Sequence, residues 1–170
     1  GHTQPGSAGH LAMEVFKLYS GAGKDIVSVS YKGGAPVQVA LLSGEVQFAF
    51  ATPSTAMPQM KSGKIIVVAT SAVKRLPYLP DVPTFAEAGV PGVEVSPWQG
   101  ILAPARTPRT IVNRLHAEVV KMFKLPDVRE RLAATGSEPV ASSPEEFAAK
   151  IKSEMTRLGK IIKDAGIKAE

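Results

Sequence analysis

The sequence predicts an α/β fold with largely parallel strands, on the strength of three apolar runs and what separates them. IVSVSY at 26–31 alternates with period two, VQFAFAT at 46–52 reads as a second strand, and KIIVVATSA at 64–72 is apolar enough for burial on both faces. Helical spacing or helix-start chemistry lies between them, so strands and helices alternate over the first 72 residues.

In chain order, SAGHLAMEVFKLYSGAG predicts a helix: Leu11, Val15 and Leu18 recur at helical spacing, Ser7 suits the N-cap and Gly21 the stop. After 26–31 the turn YKGGAP leads into a short helix with Pro36 at its first position, ending near Gly44. PSTAMPQMKSGK is a short helix or helical turn before the third strand. Residues 76–97 hold Pro77, Pro80, Pro83, Pro91 and Pro97, which fix φ and remove backbone donors. They predict a surface loop, interrupted by the helical turn TFAEAG with Thr84 as cap and Gly89 as stop. VEVSPWQGILAP resumes strand character. TPRTIVNRLHAEVVKMFK predicts a helix with Thr107 as N-cap, Pro108 at the first position and an apolar stripe of Ile111, Leu115, Val119 and Met122. Another helix starts behind Pro126 and ends at Gly136; the last opens on a capping box of Ser143 and Glu146 and stops near Gly166.

With 170 residues, 44% of them hydrophobic, and a mean hydropathy of +0.05, the chain suits one sizeable core and is too polar for a membrane protein. No stretch approaches the roughly 18 uninterrupted apolar residues of a membrane span. The start GHTQPGSAGH lacks the basic and apolar regions of a signal peptide, so an exported form is expected to have lost one. The absence of cysteine excludes disulfides and thiolate metal sites. Of the net charge of +5, residues 1–96 carry +1 and residues 97–170 carry +4. The basic residues of the last third alternate with acidic ones along helical segments, as on a solvated helix face, and no basic run interleaves with aromatics. Nucleic acid is therefore not an expected partner.

Three chemistries compete for the polar turns. A phosphate loop fails on spacing: GAGK at 21–24 is followed by Asp25 and has Leu18 where a Walker glycine belongs, and around Gly33 and Gly34 the lysine precedes the glycines. A serine hydrolase or transferase using Ser7 and His10 is the alternative function, since GSAGH superficially resembles a nucleophile elbow; Pro5 stands where the elbow needs glycine, and no acid is supplied to orient the imidazole. The three histidines lack metal-ligand spacing beside carboxylates, so neither a metal nor a cofactor is expected. What recurs is a polar helix start after a strand or glycine turn: Gly6-Ser7, Gly33-Gly34-Ala35 and Thr52-Pro53-Ser54-Thr55. Unpaired amides and the positive dipole end make each an anion site, and three converging at one sheet edge would cradle a carboxylate.

Those turns, together with GSAGHLAMEVFK, VSYKGGAPVQVALLSGEVQFAFAT, MKSGKIIVVATSAVKRLPYLPDVPTFAEAGVPGVEVSPWQGILAPARTP, VRERLAATGSEPVASSPEEFAAKIKSE and KIIKDAGIKAE, resemble the solute-binding proteins of tripartite tricarboxylate transporters, the TctC-like or Bug family. The resemblance runs over essentially the whole chain. It implies a type II-like periplasmic-binding-protein fold, a three-layer sandwich with one lobe near complete and the other partial: 1–96 as the second, cleft-forming lobe and 97–170 as the mostly helical returning part of the first. It implies a periplasmic, non-enzymatic protein that captures a small organic acid (a dicarboxylate, tricarboxylate or amino acid) for membrane permease subunits. A ligand-sensing module without transport is the third reading. The binding residues implied are Thr3, Gly6, Ser7, Gly33, Gly34, Ala35, Thr52 and Ser54, with Trp98 walling the ligand. The family often has aspartate at the position of Ala51, and serine and glycine at those of His2 and Gln4. Family members also carry a substantial segment before the position of Gly1, including the start of the first lobe. The chain alone is therefore expected to bind weakly or not at all, unless a homodimer supplies the missing surface.

Overall fold

The computed structural model describes residues 1–164, 166 and 167; Ala165 and residues 168–170, part of the family-like KIIKDAGIKAE stretch, lie outside the described residues. The elements are β1 (His2–Thr3), α1 (Ala8–Tyr19), β2 (Ser30–Tyr31), α2 (Gly34–Leu42), α3 (Pro53–Lys61), α4 (Arg109–Met122), α5 (Pro126–Ala134) and α6 (Pro144–Asp164). Two compact units result, one of Gly1–Pro97 with Ile161–Glu170 and one of Trp98–Lys160.

In the first unit β1 pairs in parallel with β2, His2 opposite Ser30 and Thr3 opposite Tyr31. On the other side Gly1 donates to the Phe48 carbonyl at 2.7 Å and accepts from the Phe50 amide at 3.1 Å, which is the parallel pattern. Three co-directional segments thus lie side by side, 30–31, 1–3 and 48–50, and each feeds a helix at the same edge. A second parallel bridge joins Thr70 to Thr84, and Val95 donates to Ser71 at 3.2 Å.

The parallel α/β character is present, but the chain is mostly helical and its strands are much shorter than the patterns predict. Of 26–31 only the last two residues form a ladder; 46–52, 64–72 and the stretch after Val93 form none. Period-two patterning marks a chain segment that can enter a sheet, but a ladder also needs a partner about 4.8 Å away. The segment at Gly1–Thr3 has one on both sides, and no alternation announced it. The expectation that KIIVVATSA is covered on both faces also fails, because Ile66 is 88% and Val68 79% exposed.

Packing is concentrated in the first unit. Helix α1 contributes Leu11, Ala12, Met13 and Val15, α2 contributes Val37 and Ala40, and Val46, Val93, Val95 and Ile161 complete the core. Leu18, predicted to share the α1 core face, is instead half exposed. Beside the core Phe16, Phe48, Phe50 and Phe85 form an aromatic cluster with centroids 5.4–6.5 Å apart, the separation at which edge and offset contacts are favourable.

Helix ends follow local chemistry. Ser7 caps α1, Ser43 closes α2 before Gly44 at φ +78°, and Thr52 starts α3. The loop at 75–89 is held by reciprocal capping: the Thr84 amide donates to Glu87 at 2.8 Å, the Glu87 amide donates to Thr84 Oγ1 at 3.2 Å, and Arg75 donates to Glu87 and to the Pro80 carbonyl. These bonds hold the Glu87 carboxyl below the usual carboxylate range.

In the second unit the α6 capping box forms as predicted, with Ser143 N to Glu146 Oε2 at 2.7 Å and Glu146 N to Ser143 Oγ at 3.2 Å. Two expectations change. Helix α4 begins at Arg109, so Pro108 is the cap in place of Thr107, and its ψ of 139° is extended; a proline φ suits either position. The stripe of Ile111, Leu115 and Met122 is about half exposed, and no residue from 98 to 160 is buried. A helix stripe is buried only where another layer covers it. Helix α2 likewise starts two residues before Pro36, at Gly34.

Candidate functional site

Parallel neighbours that each lead into a helix place the starts of α1, α2 and α3 at one edge of the first unit. The starts of α2 and α3 touch: a β-carbon placed on Gly34 would lie 3.0 Å from Thr55 Cγ2, and Gln38 Nε2 donates to the Thr55 carbonyl. The first turn of α1 lies against the third segment, where a β-carbon on Gly9 would lie 3.2 Å from the Phe50 carbonyl oxygen and 3.6 Å from Thr3 Oγ1.

Each start is built differently. At α1, Ser7 Oγ accepts from the His10 amide at 3.1 Å and from Thr3 Oγ1 at 2.8 Å. The Gly6 amide donates to His10 Nδ1 at 3.0 Å and the Ser7 amide to the Gln4 carbonyl at 3.1 Å, so neither is available to a ligand. The amides left without an acceptor among the described residues are those of Ala8 and Gly9, two residues further in than the sequence pointed to. At α2 the cap is Gly33 at φ +103°, a backbone closed to side-chain-bearing residues without strain, and its amide donates to the Tyr31 carbonyl at 2.9 Å. Gly34 and Ala35 amides are unpaired among the described residues. At α3 Pro53 has no donor, Ser54 N is unpaired, and Thr52 Oγ1 lies 3.1 Å from Ser54 Oγ and 3.2 Å from Thr55 Oγ1. Trp98 belongs to the second unit, where its ring meets Phe147 edge-on at 5.1 Å.

The Ser7–His10 pairing needed for a nucleophile is absent. His10 Nδ1 faces the Gly6 amide, and Ser7 Oγ takes the His10 backbone proton without meeting the ring. The nearby carboxylate is engaged elsewhere: Glu14 accepts from Lys17 at 3.0 Å and from Ser28 at 2.8 Å. Burial raises the Glu14 carboxyl, but those two partners outweigh it and hold it below its ordinary value.

Sequence reasoning missed His2. The residue is 3% exposed; its ring stacks on His10 at 4.6 Å and donates through Nδ1 to the Thr3 carbonyl at 2.5 Å. Burial, and secondarily the neighbouring His10, push its pKa below the ordinary 6.5, against the raising effects of the Thr3 carbonyl and Glu14. A depressed histidine pKa means the folded state binds fewer protons than the unfolded one, so stability is fully present above pH 6.5 and declines as pH falls towards the folded-state value. Urea unfolding from pH 7.5 to 5 is expected to show that decline, and His2→Gln to flatten it. An unchanged slope in the variant would refute the assignment.

Parallel segments feeding helix starts with unpaired amides among the described residues fit a binding protein built on the periplasmic-binding-protein plan. The tripartite tricarboxylate transporter family receptor pattern matches residues 1–167, and the chain belongs to that TctC, or Bug, family. This is a binding-protein family and not an enzyme family. The chain is 35% identical over 158 residues to the protein of the tcbD–tcbE intergenic region of Pseudomonas sp. strain P51, covering 92% of itself and 46% of that relative. Among solved structures, an R. palustris protein with adipate superposes with a TM-score of 0.85 at 35% identity, over 98% of this chain and 56% of that one. The periplasmic binding protein BugD gives 0.78 at 30%, over 99% and 57%. MatC from Rhodopseudomonas palustris with bound malate gives 0.75 at 30%, over 95% and 56%. The chain thus spans about half the length of these relatives. No helix among the described residues is long and apolar enough to cross a membrane.

Proposed function

We propose that the three helix starts form one wall of a cleft that captures a small carboxylate-bearing organic acid, of the dicarboxylate class, for the permease subunits of a tripartite tricarboxylate-type transporter in the periplasm. The observation that carries the reading is the set of amides at Ala8, Gly9, Gly34, Ala35 and Ser54, unpaired among the described residues and gathered at one edge by parallel segments. Around them Ser7, Thr52 and Ser54 supply hydroxyls, Thr3 orients Ser7, and the glycine turn at Gly6 and Gly33 lets an oxygen approach the backbone. The adipate- and malate-bound relatives support the ligand class. In this reading 1–96 is the second lobe and 97–170, beginning with Trp98, is the returning part of the first.

Magnitudes set the affinity. A micromolar ligand needs about 8 kcal/mol. A helix terminus contributes about 0.3–1 kcal/mol, up to about 2 when partly buried. Each charge-assisted hydrogen bond adds roughly 1.5–3 kcal/mol before ordering costs. One wall therefore gives weak binding, and closure of an opposite wall supplies the rest. Calorimetry on the 170-residue chain is expected to give a Kd for adipate or malate no tighter than about 100 μM, lost in Gly33→Val. Micromolar binding by monomer, or Gly33→Val binding as well as the parent, would overturn this account of the site.

A further inference from the structure

His10 stands in the first turn of α1, next to the Ala8 and Gly9 amides, and its ring holds a further amide out of use. The Gly6 N–H donates to His10 Nδ1 at 3.0 Å. A backbone amide can only donate, so Nδ1 carries no proton and the neutral ring keeps its proton on Nε2, which meets no partner among the described residues. Protonation adds an N–H at Nδ1, directly against the Gly6 N–H. Two donors cannot share that contact, so the bond is lost and the Gly6 amide is released. There is room for an acceptor to take it: Gly6 stands at φ +76°, and a β-carbon placed on it would meet nothing within 4 Å. Imidazole is the side chain whose charge changes between about pH 5 and 8.

We propose that His10 is the proton-linked residue of the carboxylate site: when protonated it releases the Gly6 amide and becomes a cation beside the α1 amides, so that the anion and a proton bind together. The proposal rests on the reading of the helix starts as a carboxylate site. The surroundings direct the proton to His10. His2, stacked on it at 4.6 Å, is 3% exposed, whereas His10 is only partly buried, so desolvation weighs more heavily on a charge at His2. Along α1 the Glu14 carboxylate, held by Lys17 at 3.0 Å, attracts the His10 cation. The segment at 1–3 brings the Gly1 amino group, bonded to the Phe48 carbonyl at 2.7 Å, and β2 brings Tyr31, bonded to Glu45 at 2.6 Å. Residues 48–50 bring no titratable side chain. An anion at the helix start favours the charged ring, and by reciprocity the charged ring favours the anion, so affinity rises as pH falls.

NMR on the ligand-free 170-residue chain tests the switch by itself. As pH falls from about 8 to 5, the Gly6 amide resonance is expected to move with the same midpoint as the His10 ring. Malate titrations at two pH values then test its link to the ligand: affinity is expected to tighten about fivefold from pH 7.5 to 5.5. Malate and His2 titrate as well, and His10→Asn separates them from His10. Asparagine Oδ1 accepts from the Gly6 amide as Nδ1 does but takes no proton, so the gain at low pH should disappear while the helical circular dichroism stays that of the parent. A Gly6 amide indifferent to the His10 titration, or the same pH dependence in parent and His10→Asn, would overturn the proposal, and malate binding in the same samples would leave the proposed function standing. Malate shifts absent from every helix start at both pH values would overturn the proposed function and this proposal together.

Discussion

Met13→Ala is expected to cost about 2–5 kcal/mol. Met13 is 0% exposed and lies in α1 among Leu11, Ala12 and Val15. Removing its side chain forfeits the transfer free energy of the buried atoms and leaves a cavity that a close-packed core fills only in part. A domain of this size has roughly 5–15 kcal/mol in total, so the variant gives up a large share of it. Because no residue from 98 to 160 is buried, the cooperative transition belongs to the first unit. Met155→Ala is the internal control: the side chain is 71% exposed, and a change within about 0.5 kcal/mol is expected. Equal losses in the two variants by urea unfolding would place the core elsewhere.

Gly92→Ala is expected to cost about 2–4 kcal/mol through two separable effects. The first is backbone: φ at Gly92 is +93°, where a side-chain-bearing residue is strained by roughly 1–2 kcal/mol. The second is steric, because the new β-carbon would lie 2.8 Å from Tyr19 Cε1 and 2.9 Å from Cδ1, displacing the ring at the end of α1. Gly89→Ala isolates the first effect, since φ there is +87° with nothing within 4 Å. Thermal unfolding should rank parent above Gly89→Ala above Gly92→Ala. A tie between the two variants would mean that Tyr19 yields at no cost.

Helix ends were legible because their causes are local. Ser7 with His10 N, Thr84 with Glu87, and Ser143 with Glu146 are contacts between residues three apart, encoded wherever the letters stand together. The positive φ at Gly21, Gly44, Gly89 and Gly136 follows from the same short-range logic. Strands were not legible in extent, since period two marks a face but not a neighbour. IVSVSY keeps only its last pair in a ladder, and KIIVVATSA leaves Ile66 and Val68 open. The stripe on α4 failed in the same way: Ile111 and Leu115 are spaced for burial, and no layer covers them.

The candidate site was legible as a set of turns and not as a set of donors. Glycine and hydroxyl residues marked where three helices start, but whether an amide is free depends on bonds across the turn. Gly6 and Ser7 spend their amides on His10 Nδ1 and Gln4, and the unpaired ones fall at Ala8 and Gly9. The His2–His10 stack joins residues from a strand and a helix through tertiary packing, and two histidines eight apart carry no local signal of it.

An amide-resolved NMR titration of the chain with adipate, and again with malate, tests the central claim most directly. Saturable shifts are expected, confined to Ala8, Gly9, Gly34, Ala35, Ser54 and their immediate neighbours, which monocarboxylate at the same ionic strength does not reproduce. Shifts centred on the basic helices at 109–164, or none at the three helix starts, would contradict it.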